Sequence, residues 1–220
     1  MASNHQVDLR LPFDGEWFVM NGGDTETVNH HHANKAQRFA FDFTVIDEDG
    51  HNFKSDGKAN EDYYCFGRPV LAPAGGVVVE AVNGVRDNKP GQGNYLAAAG
   101  NYIIIQHQPG EFSFIAHLKQ NSLKIKRGDK VTAGQQLGQC GNSGVSFASH
   151  LHYHLQDSML FDEYKVTYPD KDLRKSGFPI IEIEGYAARG IKTYFVDLKL
   201  ANEQQPRELY SPVRGDIVSN

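Results

Sequence analysis

Residues 113–157 read SFIAHLKQNSLKIKRGDKVTAGQQLGQCGNSGVSFASHLHYHLQD, in which short runs of β-branched and aromatic residues alternate with glycine turns. Similar runs precede this stretch at 38–46 (RFAFDFTVI), 75–82 (GGVVVEAV) and 101–107 (NYIIIQH). Short runs bounded by glycine, asparagine or proline are typical of strands, and helical periodicity is hard to find anywhere in the chain. The sequence therefore predicts an all-β fold, an antiparallel β-sandwich with long loops.

Charge and hydropathy narrow the class of protein. The 220 residues include 22 Lys and Arg against 27 Asp and Glu, a formal net charge of −5, without a dense basic cluster. We therefore expect no nucleic-acid partner. No apolar run approaches the ~20 residues of a membrane span, and the first residues, MASNHQVDLR, lack the apolar stretch of a signal peptide. We expect neither feature in this chain, and the sequence leaves the oligomeric state open.

Three histidines stand at every second position of HLHYHLQ (150–156): His150, His152 and His154. Because side chains alternate between the two faces of a strand, the three imidazoles are predicted to share one face. A polar strand face would explain this pattern. Neutral imidazole is also the commonest metal-binding side chain, and two histidines on one face can converge on one ion. The pattern alone leaves both interpretations open.

Other candidate ligands lie upstream. Asp42 sits in the apolar run FAFDF, where burial is costly unless the carboxylate has a partner or a metal; a structural hydrogen bond is the alternative. The polar loop VNHHHANKAQ carries His30, His31 and His32, of which at most one is expected to be a ligand. His117 ends the run FIAHL, where the local pattern fits a structural role as well as a functional one.

Taken together, these segments resemble the lysostaphin and LytM-type zinc endopeptidases. The family core runs aromatic-x-H-L, then G-x-x-V-x-x-G-Q-x-(I/L)-G, then H-L-H-(F/Y), and residues 101–156 match it with the spacing intact, except that Ile115 stands at the aromatic position. The resemblance implies a β-sandwich of the LytM, duplicated hybrid motif type. It also implies a zinc metalloendopeptidase, with Zn²⁺ as cofactor, that hydrolyses cross-links or stem peptides of bacterial peptidoglycan through a metal-bound water. An extracytoplasmic location, in the periplasm, the cell envelope or the medium, follows from the same resemblance.

The resemblance implies the zinc ligands residue by residue. It identifies Asp42 and His152 directly as two of the zinc ligands. The common form of the family carries its first ligand four residues before the aspartate, where this chain has Arg38, which cannot bind a cation. The chain instead resembles a subgroup with N-x-H ahead of Q-R-(F/Y)-A-x-D, which identifies His31, two residues after Asn29. The two histidines that flank it remain alternatives.

The resemblance also implies two catalytic residues. The first histidine of H-x-H and the histidine of the aromatic strand flank the metal-bound water in this family, which identifies His150 and His117. His154 lies beyond the motif, and we interpret it as a residue that supports a ligand or fills space. His107 resembles a recurrent structural histidine.

We expect one main domain with extensions. The predicted parts are an N-terminal β extension (1–29), the zinc peptidase core (30–157) and a C-terminal extension packed on the core (158–220). Polar loops at 47–64 and 83–100 are expected to wall the substrate groove, where they would set specificity or cap the site. Cys65 and Cys140 fit either a disulfide or two buried free thiols.

Three other functions fit parts of the pattern. A non-catalytic relative could bind the cell wall or a partner protein through the same fold, although such relatives typically lose ligands and this chain keeps a full set. The segment KRGDKVTAGQQLG shares the rhythm of lipoyl- and biotinyl-carrier hairpins, but a carrier has no use for four histidines and an aspartate in this spacing. A copper or nickel storage protein or sensor would use the same ligand types.

Overall fold

The computed structural model describes residues 7–159, 163–167, 180–184 and 188–220. The strands in these ranges are β1 (Trp17–Asn21), β2 (Phe41–Thr44), β3 (Pro69–Leu71), β4 (Gly76–Val82), β5 (Asn101–Gln108), β6 (Glu111–Leu118), β7 (Lys130–Val131), β8 (Gln136–Gln139), β9 (Leu151–Gln156), β10 (Glu163–Thr167), β11 (Ile180–Glu184), β12 (Gly190–Ile191), β13 (Phe195–Leu200), β14 (Arg207–Tyr210) and β15 (Ile217–Ser219). Short 3₁₀ helices span His30–Ala33, Asn60–Asp62 and Tyr95–Ala97. In the part of the chain that the structure describes, no helix has the length and apolar character to cross a membrane.

Eleven strands form one large sheet. Ten of them follow the hydrogen-bonded order β14-β13-β15-β1-β2-β9-β6-β5-β4-β7, and β12 pairs with β9 outside this path. The pairs β3–β8 and β10–β11 form two separate small sheets. All pairings between these strands are antiparallel. The prediction of an all-β, antiparallel fold is confirmed.

The main core lies between the large sheet and the small β3–β8 sheet. Ile103 and Ile105 of β5 and Tyr153 of β9 belong to the same apolar cluster as Val70 of β3 and Leu137 of β8. The alternate residues of β5 and β6 face the other way, because successive side chains of a strand point to opposite faces. They form a smaller cluster: Ile104, Phe112, Phe114 and Ala116.

The register of three neighbouring strands brings the polar residues together. β9 pairs with β2 on one side, where His152 lies opposite Asp42, and with β6 on the other, where His152 lies opposite Ala116. Residues directly opposite each other in a sheet share a face. A carboxylate and an imidazole that are distant in sequence are therefore adjacent in space, and His117 follows at the end of β6.

Strands from both predicted extensions join the sheet of the predicted core. β1 lies between β2 and β15, and β13 follows β15 in the strand order. The division into segments 1–29, 30–157 and 158–220 stays a prediction. Its outer segments also include residues outside the described ranges.

Candidate metal centre

Asp42 lies at the centre of a cluster of imidazoles and is only 2% exposed. Its Oδ2 lies 2.9 Å from His31 Nε2, and its Oδ1 lies 3.0 Å from His152 Nδ1. Two further imidazoles stand slightly farther away, with His30 Nε2 at 3.7 Å from Oδ2 and His150 Nε2 at 3.6 Å from Oδ1. One buried carboxylate thus faces four imidazole nitrogens.

The protonation states in this cluster suit metal binding. Burial alone would raise the pKa of Asp42, but the nearby imidazole of His31 holds that pKa well below its usual range. Burial lowers the pKa of His152 to about 3, although Asp42 acts in the opposite direction. The carboxyl group is therefore ionised and the imidazole neutral, which are the forms that metal ions require.

The loop that carries three consecutive histidines presents them differently. His31 makes the closest approach to Asp42, as given above, while the His30 side chain is 62% exposed. The ligand atoms of His30, His31 and Asp42 all lie within 4.8 Å of one another. His32 turns elsewhere, because its Nδ1 lies 3.7 Å from Glu26 Oε1. Two histidines of this loop are therefore within reach of an ion at Asp42.

Asn29 anchors this loop to the sheet and is buried. Its side-chain oxygen accepts a hydrogen bond from the His31 backbone N–H at 3.0 Å. Its amide nitrogen lies within hydrogen-bonding distance of the carbonyls of Gly23 (3.0 Å), Arg38 (3.2 Å) and Ala40 (3.1 Å). One side chain therefore ties the histidine loop to the backbone that leads into β2.

We expect Asn29→Ala to lower the free energy of unfolding by about 2–4 kcal/mol, since buried carbonyl groups lose their donor. Zinc affinity should fall about 10- to 100-fold, because residues that orient metal ligands typically contribute this much. Chemical denaturation and chelator competition measure the two effects. Asn34→Ala is the matched control, since Asn34 accepts from Ala36 N–H in the same loop without touching Asp42. Equal losses of zinc affinity in both variants would contradict the anchoring role.

His117 and His150 lie side by side at the edge of the cluster, with ring centroids 4.8 Å apart. His117 Nδ1 lies 2.8 Å from the Ser143 carbonyl oxygen, and His150 Nδ1 lies 2.9 Å from the Ala148 carbonyl oxygen. A carbonyl oxygen only accepts, so each Nδ1 carries the hydrogen and each Nε2 keeps its lone pair when the ring is neutral. In its neutral form, each ring therefore has the Nε2 lone pair available for chemistry.

The backbone and surroundings of His117 are unusual. Its φ angle is +61°, in the left-handed region that residues other than glycine rarely adopt. Its side chain is buried, and burial together with the neighbouring imidazoles of His150 and His152 lowers the pKa of His117 well below its ordinary value. His117 is therefore neutral at physiological pH.

Both long loops contact the segment between β8 and β9. Asp87, from the loop at 83–100, accepts a hydrogen bond from the Asn142 backbone N–H at 2.8 Å. Asn60, from the loop at 47–64, accepts one from the Asn142 side chain at 2.9 Å. The two loops therefore brace the segment whose carbonyl groups orient the two edge imidazoles.

His154, His107 and the two cysteines complete the set of residues noted in the sequence. His154 touches the far side of the His152 ring, with Nδ1 2.9 Å from Nε2. His107 lies elsewhere, with its ring nitrogens near the Gly75 carbonyl and the Ser113 hydroxyl. The two cysteines, Cys65 and Cys140, are buried free thiols.

Comparison with known protein families covers part of this site. The protein-family model described as "Peptidase family M23" matches residues 61–163. The matched range includes His117, His150 and His152, while His31 and Asp42 lie before it.

Three relatives extend this comparison. The chain is 37% identical to peptidoglycan DD-endopeptidase ShyA of Vibrio cholerae over 146 residues, which is 66% of this chain and 26% of ShyA. It is 36% identical to lysostaphin of Staphylococcus simulans over 88 residues, 40% of this chain and 15% of lysostaphin. It is 31% identical to lipoprotein NlpD of Yersinia enterocolitica over 90 residues, 41% of this chain and 78% of the NlpD sequence. The chain thus spans about a quarter of the length of ShyA. The predicted resemblance to lysostaphin-type peptidases is confirmed, and the chain belongs to peptidase family M23.

Proposed function

We propose that this chain is a zinc-dependent metalloendopeptidase that hydrolyses peptide bonds of bacterial peptidoglycan. The observation that carries the proposal is the convergence of imidazole nitrogens on the buried carboxylate of Asp42, beside the imidazoles of His117 and His150, whose Nδ1 atoms face backbone carbonyls. Relatives named peptidoglycan DD-endopeptidase and lysostaphin support the substrate class. The same relatives support an extracytoplasmic location.

The donor atoms fit a zinc ion. Zinc in hydrolases is held by about three protein ligands drawn from imidazole nitrogen and carboxylate oxygen. We assign His31, Asp42 and His152 to these positions, because they make the shortest contacts of the cluster. A buried carboxylate needs a compensating positive charge, and among the described residues no lysine or arginine forms an ion pair with Asp42. A bound cation would supply that charge.

The proposed reaction needs a base and a donor for the oxyanion. Bound zinc supplies Lewis acidity, lowering the pKa of water towards about 7 and polarising a peptide carbonyl. We assign His117 and His150 to orient the attacking water, to take its proton at Nε2 and to return a proton to the leaving amine. In its protonated form, either imidazole donates to the developing oxyanion. The sequence contains no H-E-x-x-H motif, so the glutamate base of that zinc peptidase class is absent.

Digestion of purified peptidoglycan tests the proposal. The zinc-loaded chain should release soluble peptidoglycan fragments, a chelator should stop the release, and added zinc should restore it. Stoichiometric zinc binding without any release would contradict the proposed function and favour a non-catalytic cell-wall-binding protein of the same family. Unchanged release in the presence of a chelator that has removed the metal would contradict the proposed role of zinc.

A further inference from the structure

A line of buried polar side chains runs along β9 away from the metal centre. His152 Nε2 lies 2.9 Å from His154 Nδ1, and His154 Nε2 lies 2.7 Å from Gln156 Oε1. The Gln156 amide nitrogen donates to the Ser158 carbonyl oxygen at 2.6 Å. All three strand side chains are buried, and the His154 ring stacks on Phe114 at a centroid distance of 4.9 Å. We call the side chains of His152, His154 and Gln156 the β9 line.

The Ser158 carbonyl at the end of the β9 line determines which atom donates and which accepts in each hydrogen bond of the line. A carbonyl oxygen only accepts, so the Gln156 nitrogen faces Ser158 and the Gln156 oxygen faces His154. That oxygen is also an acceptor, so the hydrogen of the neutral His154 ring is on Nε2 and its Nδ1 is bare. The bare Nδ1 then accepts from His152, which places the His152 hydrogen on Nε2.

This order of hydrogens leaves His152 Nδ1 as a lone pair, 3.0 Å from Asp42 Oδ1. A lone pair and a carboxylate oxygen at that distance repel each other in a buried site. A cation that binds both atoms removes the repulsion. The opposite tautomer of His152 would donate from Nδ1 to Asp42 and satisfy the metal-free site. It would also reverse every donor and acceptor along the β9 line. The Gln156 oxygen would then face the Ser158 carbonyl oxygen, where neither atom can donate.

We propose that His154 and Gln156 are positioning residues that hold His152 in the tautomer whose Nδ1 is available to a metal ion. The inference rests on the proposed function for the identity of the ion, while the tautomer itself belongs to the metal-free chain. His154 thereby acts on the metal centre through His152 without contacting the ion.

Nuclear magnetic resonance of the metal-free protein with ¹⁵N-labelled histidine tests the tautomer directly. The expected spectrum has the hydrogen on Nε2 in both His152 and His154. A hydrogen on Nδ1 of His152 in the metal-free protein would overturn the proposal. The signals of His152 and His154 are identified as those that disappear in the single variants His152→Ala and His154→Phe.

Two substitutions of Gln156 separate positioning from packing. Gln156→Glu keeps an oxygen acceptor for His154 and should preserve the tautomer, with zinc affinity within a few-fold of the parent. Gln156→Met removes the acceptor and should lower zinc affinity about 10- to 100-fold. A purely structural role predicts the opposite order, because a buried carboxylate destabilises a fold more than a thioether of similar size. The higher zinc affinity in the Met variant would overturn the proposal.

A second pair of variants keeps the test independent of how well the Glu variant folds. His154→Phe removes the acceptor of His152 and should lower zinc affinity to the same extent as Gln156→Met. Phe114→Leu is the matched control, because it disturbs packing on the His154 ring without changing a polar atom of the β9 line. It should lower the free energy of unfolding and leave zinc affinity unchanged; equal affinity losses in Phe114→Leu and His154→Phe would contradict positioning.

The failure of this inference is distinguishable from failure of the proposed function. A zinc-dependent hydrolase with the Nδ1–H tautomer of His152 would overturn only the positioning role. Absence of zinc binding or of peptidoglycan hydrolysis would overturn the proposed function, whatever tautomer the spectrum shows.

Discussion

Asp42→Asn is expected to abolish stoichiometric zinc binding and, with it, peptidoglycan hydrolysis. The substitution removes the negative charge on which the imidazoles of His31 and His152 converge. Structural zinc sites have binding free energies of about 10–16 kcal/mol, so loss of one charged ligand should weaken binding by about 10²-fold or more. Chelator competition and metal analysis of the purified variant measure the effect. His152→Ala should give the same result.

The shift of the unfolding midpoint on adding zinc provides a second readout for the Asp42→Asn variant. Zinc stabilises the parent by mass action because it binds the folded state. We therefore expect zinc to raise the unfolding midpoint of the parent and to leave that of the variant unchanged. The exposed Asp49 offers a matched control, and Asp49→Asn should keep both zinc binding and its stabilising effect. Full zinc occupancy in Asp42→Asn would contradict the assigned ligand set.

His117→Ala and His150→Ala are expected to lower kcat/KM for peptidoglycan hydrolysis by about 10²- to 10⁴-fold, the usual contribution of a general acid or base. Both variants should retain stoichiometric zinc, because neither imidazole is among the assigned ligands. Rates on a soluble muropeptide, together with metal analysis of the same samples, test this expectation.

His51→Ala is the matched control for these two substitutions, since the His51 side chain is 64% exposed and lies in the loop at 47–64. It should leave both zinc content and kcat/KM within a few-fold of the parent. Loss of zinc from His117→Ala or His150→Ala would make that residue a ligand. An unchanged rate in either variant would remove that residue from the proposed mechanism.

The strand pattern predicted much of the fold and part of the site. Alternation alone placed the histidines of HLHYHLQ on one face, and β9 spans Leu151–Gln156 within that stretch. Burial of the aspartate in FAFDF was predicted from its apolar neighbours, and Asp42 is indeed buried. What alternation does not show is which strands pair. The contact between Asp42 and His152 joins residues 110 positions apart and depends on the register of β2 with β9.

Other features of the site depend on contacts that local patterns do not contain. Three consecutive histidines look alike in sequence, and it is the bonds of Asn29 that bring His31 to Asp42. Asn21 had no signal in the sequence, yet its side-chain amide donates to Asp42 Oδ2 at 3.0 Å. The positive φ of His117 reflects its position at the end of β6, where its N–H donates to Ala99 in the loop at 83–100.

Mass spectrometry of one purified, cross-linked muropeptide before and after incubation with the zinc-loaded chain tests the central claim most directly. Hydrolysis of a peptide bond predicts two products whose masses sum to that of the substrate plus one water. It also predicts that the products disappear when the metal is removed and return when zinc is added. Intact substrate after incubation with a fully zinc-loaded, folded chain would contradict the account, as would equal cleavage by the metal-free chain.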